Sequence, residues 1–110
     1  MQIGIDVGAT KIESVVLEDD GKEHNRTRTA CPKEYNQIIK TVKEINDSLE
    51  KTYNKNLPIG VCHPGIHSPQ TGLVKNAPNC FWLEKKPFQQ DLRKFLDKEV
   101  FCENDANCFA

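Results

Sequence analysis

The chain has 110 residues, with 15 Lys and Arg against 16 Asp and Glu and a formal net charge of -1. Its mean hydropathy is -0.61. This length suits one small domain with a modest core. A charge near zero lacks the basic stripe of a nucleic-acid binder, and no apolar run approaches the ~20 residues of a membrane span. Asp6 interrupts the short apolar start, and no cationic segment precedes it, so the amino terminus does not read as a signal peptide. A cytoplasmic protein is expected. Five cysteines without a Cys-x-x-Cys pair predict free thiols rather than a disulfide framework.

Ile3, Ile5 and Val7 alternate with Gln2, Gly4 and Asp6, which predicts a first strand. Gly8 to Lys11 connects it tightly to a second β-rich run, Ile12 to Leu17. Asp19-Asp20-Gly21 supplies turn chemistry. The polar run from Lys22 to Thr29 suits either an edge strand or a solvated loop. From Glu34 to Tyr53, apolar residues at Tyr35, Ile38, Ile39, Val42, Ile45, Leu49 and Tyr53 recur at steps of three and four, predicting a helix. Pro58 to Cys62 reads as a strand closed by His63-Pro64-Gly65. Ile66 to Asn79 reads as a long excursion with a hairpin near Thr71-Gly72. Pro87 suits the start of a second helix whose face is Phe88, Leu92, Phe95 and Leu96. Glu99 to Cys102 is a short strand. The order of three strands, helix, strand, helix, strand predicts a mixed sheet with helices against it. Only about one turn could follow Asn104-Asp105-Ala106-Asn107, so a fragment of a longer protein is expected.

Three groups of residues could carry chemistry. Asp6-Val7-Gly8-Ala9-Thr10-Lys11 ends the first strand. Gly8 allows close backbone approach, consecutive amides can hold phosphate oxygens, and Thr10 and Lys11 add a hydroxyl and a cation. Asp6 is poised to hold Mg2+ through water. An ordinary turn with a solvated Asp is the alternative. Asp105, between a strand and a helix, could take a proton from a sugar hydroxyl, or simply cap the helix. Pro64-Gly65 and Lys75-Asn76-Ala77-Pro78-Asn79 could contact sugar hydroxyls, or only form turns. Cys62, His63, His67 and Cys80 fit no familiar zinc spacing. Phe81, Trp82 and Leu83 read as local packing.

Taken together, these segments resemble the amino-terminal domain of a ROK-family sugar kinase of the actin-like ATPase (ribonuclease H-like) superfamily. The resemblance rests on Gly4 to Lys11, on Pro64-Gly65, on Ser68-Pro69 with Thr71 to Ala77, on Trp82-Leu83, on Pro87-Phe88 and on Asn104 to Ala110. It implies an α/β domain with a mixed five-stranded sheet and flanking helices. It implies ATP phosphates against Gly4, Ile5, Asp6, Val7, Gly8, Ala9, Thr10 and Lys11, with Mg2+ near Asp6. Asp105 becomes the catalytic base, and Pro64, Gly65, Asn76, Asn79 and Asn104 hold a hexose. The family's second lobe, with its zinc-binding cluster, would lie beyond residues 1–110, so no zinc site is expected in this chain. The sequence departs from the family at Ala9, usually a second Gly, at Cys62-His63, and at Pro78, which displaces Asn79.

The expected function is ATP-dependent phosphorylation of a hexose, with this chain as the amino-terminal lobe. The Ser-Pro-x-Thr-Gly and Lys-Asn-Ala segments favour a fructose or mannose type. N-acetylglucosamine or glucose is the alternative, as is a non-catalytic sugar-binding remnant. A sugar-sensing repressor is discounted because the first strand begins at residue 2. Neither nucleic acid nor membrane is expected as a partner, and a homodimeric complete form is left open.

Overall fold

A computed structural model describes residues 1–77 and 80–104. Strands β1 (Gln2–Val7), β2 (Lys11–Leu17) and β3 (Glu23–Ala30) precede helix α1 (Tyr35–Tyr53). Strands β4 (Ile59–His63), β5 (Ile66–His67) and β6 (Val74–Lys75) follow. A single 3-10 turn (Phe81–Leu83), helix α2 (Phe88–Leu96) and β7 (Val100–Asn104) complete the order. The main sheet has the order β3-β2-β1-β4-β7, and β5 and β6 form a separate hairpin. β1, β2 and β3 pair antiparallel, whereas β4 pairs parallel with both β1 and β7.

Side chains alternate across a pleated sheet. Ile3, Ile5, Val7, Ile12, Val16, Ile59, Val61 and Val100 therefore share one face. They form a single core with Ile38, Val42 and Leu49 of α1 and with Phe88, Leu92 and Leu96 of α2. The opposite face carries Gly4 beside Gly60 and Asp6 beside Glu13 and Cys62. Glu13 is held there by Arg26 and Arg28, at 3.2 and 2.8 Å.

The polar run is an edge strand. A bulge between Ser14 and Val16 gives β3 one extra residue, and Asn25 accommodates it at φ 52°. The bulge and the charges blunt an edge that would otherwise template pairing. In α1, the Glu34 carboxylate accepts from the Gln37 N–H at 2.7 Å, and Asn54 closes the helix at φ 53°. α2 differs from its expected pattern in two ways. Pro87 is the residue just before the helix rather than its first residue. Phe95 is 50% exposed, because the buried stripe advances by fours through Phe88, Leu92 and Leu96 and leaves Phe95 at its rim. β4 and β7 also run further toward the carboxyl edge than expected, because each continues the parallel ladder to the His63–Asn104 pair. Cys31, Cys80 and Cys102 carry free thiols, but Cys62 is disulfide-bonded, contrary to the expectation of free thiols throughout. Among the described residues, no helix is long and apolar enough to cross a membrane.

Two partly buried polar arrangements hold the helices. Asn46 of α1 is 2% exposed. Its Oδ1 accepts from Lys98 Nζ at 2.8 Å, and the same ammonium meets Glu50 Oε2 at 2.9 Å and the Leu57 carbonyl. Burial opposes ionisation of Glu50, but bonds from Lys98 and the Leu57 amide outweigh it and lower its pKa. At α2, Pro87 provides no side-chain cap. His67 Nε2 of β5 instead accepts from the Gln89 N–H at 3.1 Å. That geometry requires neutral imidazole. Burial, together with His63 and Arg93, pushes the His67 pKa down from 6.5 to about 4.

Removing one partner from a buried ion pair leaves the other without compensation, at a cost of ~3–5 kcal/mol. Because this pair is only partly buried, Lys98→Met should cost about 2–3 kcal/mol, read as a lower urea midpoint with unchanged m-value. His67 gives a pH signature of opposite sign to a salt-bridged histidine. With its folded pKa depressed, its contribution is full above pH 6.5 and is lost as pH falls from 6.5 toward about 4. His67→Asn keeps an acceptor without titrating, so its stability should fall less over that window; equal slopes would remove His67 as the cause.

Candidate functional site

β1, β4 and β7 point the same way, so their carboxyl ends meet along one edge. The register runs Asp6–Cys62–Glu103 in one row and sets His63 beside Asn104 in the next. With neighbouring strands ~4.8 Å apart, the first and last members of a row stand about 10 Å apart. The loops leaving β1 and β4 share a region the size of a small ligand with the end of β7.

The first loop is the β1–β2 turn. The Gly8 N–H donates to the Lys11 carbonyl at 2.8 Å, and the Thr10 carbonyl accepts from the Cys31 N–H at 2.9 Å. A Cβ on Gly8 would stand 3.1 Å from the Lys11 carbonyl oxygen, so the turn is tight. Ala9 is not among the residues at positive φ, and its methyl group fits without a second glycine. Thr10 and Lys11 are exposed, and Asp6 is half-buried. Ile5 and Val7 are fully buried in the core, and Gly4 is buried on the sheet. Of the stretch from Gly4 to Lys11, therefore, Asp6 and Gly8 to Lys11 can meet a ligand. Gly4, Ile5 and Val7 support the turn from within. A shallow cavity of about 210 Å³ lies on the bare sheet face beside Asp6, but its Glu13, Glu23 and Arg26 largely satisfy one another.

The second and third loops close on each other. Gly65 sits at φ +75°, and a Cβ there would stand 2.5 Å from the Lys75 carbonyl oxygen and 3.0 Å from the Ala77 Cβ. Only glycine allows the Pro64-Gly65 turn to lie against the loop after β6. Asn104 Nδ2 donates to the Gly65 carbonyl at 2.6 Å, which ties the end of β7 to the same turn. Asn76 is exposed at φ 62°, a left-handed conformation that asparagine tolerates. The Ala77 N–H beside it donates to Glu84 Oε1 at 2.5 Å. Pro64, Gly65, Asn76 and Asn104 are thus brought together. Asn79 and Asp105 lie outside the described residues.

The histidines have structural partners. His63 is 1% exposed. Its Nδ1 contacts the Pro64 carbonyl at 2.8 Å, and its ring packs edge-on against His67, with centroids 4.8 Å apart. Among the described residues, no group of three or more His, Cys, Asp or Glu could hold a metal ion. Burial raises the thiols of Cys80 and Cys102 to about 12, so neither offers a thiolate near neutrality. Trp82 packs on the core and Leu83 is fully buried, whereas Phe81 is 72% exposed, edge-on to Trp82 at 4.9 Å.

Glu84, His67 and Gln89 were not anticipated as supports of these loops. Their partners are distant in sequence, and Glu84 reads as one charge among several in a loop. The only advance signal was Pro87, a helix start without a capping side chain, which leaves amides that another segment must meet.

A family model described as the ROK family matches residues 2–110. The chain is 35% identical over 111 residues to the N-acetyl-D-glucosamine kinase of Pasteurella multocida (strain Pm70), covering 100% of this chain and 36% of that protein. The ROK hexokinase from Thermus thermophilus superposes with a TM-score of 0.81 at 26% identity, over 96% of this chain and 35% of that one. The inorganic polyphosphate/ATP-glucomannokinase from Arthrobacter sp. strain KM gives 0.81 at 28% identity, over 96% and 44%. The fold is that of the actin-like ATPases, with a mixed five-stranded sheet and flanking helices. That family match spans residues 2–110, and the chain belongs to the ROK family.

Proposed function

We propose that residues 1–110 are the amino-terminal lobe of an ATP-dependent hexose kinase, with N-acetylglucosamine as the favoured substrate. The observation that carries this reading is the shared edge. The Gly8–Lys11 turn, the Gly65–Ala77 junction and Asn104 leave the carboxyl ends of parallel strands in register, the usual ligand position in α/β sheets. The fructose or mannose preference expected from Ser68–Gly72 and Lys75–Ala77 gains no support from the curated relatives, of which those from Pasteurella multocida and Haemophilus influenzae are both named N-acetyl-D-glucosamine kinases. Glucose is the alternative, since one structural neighbour is named a hexokinase and another a glucomannokinase. The chain spans only 36% of the Pasteurella relative's length, so the remaining machinery is assigned to a second lobe.

The residues present fit ATP and Mg2+. The turn at Gly8 has no room for a larger residue without adjustment, Thr10 and Lys11 are exposed beside it, and Asp6 supplies a hard oxygen donor. When bound, ATP supplies the transferred phosphoryl group and Mg2+ offsets its charge. Gly8, Thr10 and Lys11 would cradle phosphate oxygens, and Asp6 would orient hydrated Mg2+. Asn76, Asn79, Asn104 and the Pro64-Gly65 backbone would fix the sugar. Asp105, next in sequence after Asn104, would accept the proton of the attacking hydroxyl. Such transfer depends on positioning and electrostatics more than on covalent chemistry.

In the complete protein, Asp105→Asn should lower turnover with N-acetylglucosamine by at least ~10²-fold, while sugar affinity changes far less. A helix-capping role predicts near-normal turnover instead, because asparagine caps as well as aspartate. Residues 1–110 alone should phosphorylate no sugar, since two lobes normally close to complete such a site. Steady ADP formation by the isolated chain with N-acetylglucosamine, glucose, fructose or mannose would overturn the lobe assignment.

A further inference from the structure

The first turn of α2 touches two separate parts of the site through one residue. The Gln89 N–H donates to His67 Nε2 at 3.1 Å, on the hairpin that leads into Asn76. The Gln89 side chain reaches the other way, and its Oε1 accepts from the Cys102 N–H at 2.9 Å. β7 is an edge strand. The Cys102 N–H points away from β4, where no strand among the described residues can receive it. One helical turn later, Arg93 Nε donates to the Val100 carbonyl at 3.0 Å on the same edge. Bonds to residues 100 and 102 act as a clip along α2 and fix the lateral position of β7. Three residues after Cys102 the chain reaches Asp105.

We infer that Gln89 is a positioning residue for the reaction: its backbone holds the Asn76 hairpin and its side chain holds the end of β7, so that one turn of α2 sets the sugar loop and the end of β7 relative to each other. This rests on the kinase reading above. Gln89 need not touch sugar or nucleotide. Its effect follows from how steeply phosphoryl transfer depends on alignment, where a misplacement of ~1 Å can cost ~10²-fold. Losing the side-chain bond releases only the Cys102 side of the clip, because the backbone bond to His67 survives substitution.

The test uses the complete protein with N-acetylglucosamine and ATP, comparing Gln89→Leu, which removes the acceptor, with Gln89→Glu, which keeps it. Gln89→Leu should lower kcat by about tenfold or more, with KM for ATP within about twofold, a nearly unchanged melting temperature and faster hydrogen exchange at the Cys102 amide. Gln89→Glu should recover most of kcat and of that protection. Positioning is overturned if Gln89→Leu keeps wild-type kcat, if Gln89→Glu loses as much as Gln89→Leu, or if the loss follows melting temperature alone. A wild-type protein that phosphorylates no hexose overturns the kinase reading itself, a result distinct from an active wild type that is indifferent to Gln89.

Discussion

The parallel ladder joining β1, β4 and β7 is the constraint on which the site depends. Ile3 to Asp6 of β1 each have a fixed partner on β4, and each residue of β4 has one on β7, through Asp6–Cys62–Glu103 and His63–Asn104. A slip of one residue would turn the core face outward and exchange Ile3, Ile5 and Val7 for Gly4 and Asp6. The buried face thus enforces the register, and the register brings the loops after β1 and β4 and the end of β7 to one edge. Burial of Ile3, Ile5, Val61 and Val100 is in this sense part of the site's geometry.

Loops at such an edge need lateral support, which comes from polar contacts as well as from core residues such as Val74 and Ala77. Asn104 binds the Gly65 carbonyl, Glu84 binds the Ala77 amide, and His67 and Gln89 connect the hairpin and β7 to α2. Each replaces a bond to water, so its net worth is modest, about 1 kcal/mol. Their value lies in direction. A hydrogen bond weakens steeply when bent, so a set of them allows few arrangements of the loops. Apolar contact alone would allow many. Lys98 does the same for the helices, because its three acceptors lie on α1 and on the segment before β4.

Much of this was legible in the sequence, and the exceptions share a cause. The period-two run of β1, the amphipathic stripe of α1 and the Asp19-Asp20-Gly21 turn depend on neighbours within a few residues, and they appear close to where the pattern set them. The segments at Gly8 and Gly65 were also readable, since glycine marks where a Cβ cannot fit. Asn46, Lys98, Glu84, His67 and Gln89 were not. Their long-range partners stand 7 to 52 residues away, and nothing in a local pattern marks a polar residue as paired across the fold. Phe95 was misplaced for a related reason. It lies close enough to the stripe in angle to pass a periodicity test, and the packing of α1 decides which edge of that stripe is covered.

The departures from the family pattern then resolve unevenly. Ala9 costs the β1–β2 turn nothing visible, because the backbone there does not use the left-handed region. His63, where the resemblance implies an apolar residue, has an apolar setting: it is buried, edge-on to Phe88 at 5.6 Å as well as to His67. Its ring also gives the Pro64 carbonyl a partner, which a valine could not. That substitution helps explain the neutral state of His67, since a second imidazole beside it disfavours added positive charge. Neutral His67 in turn offers the acceptor that the amino terminus of α2 lacks. The buried His63 of β4 is thereby linked, through a ring contact and one hydrogen bond, to the helix that supports the β5–β6 hairpin.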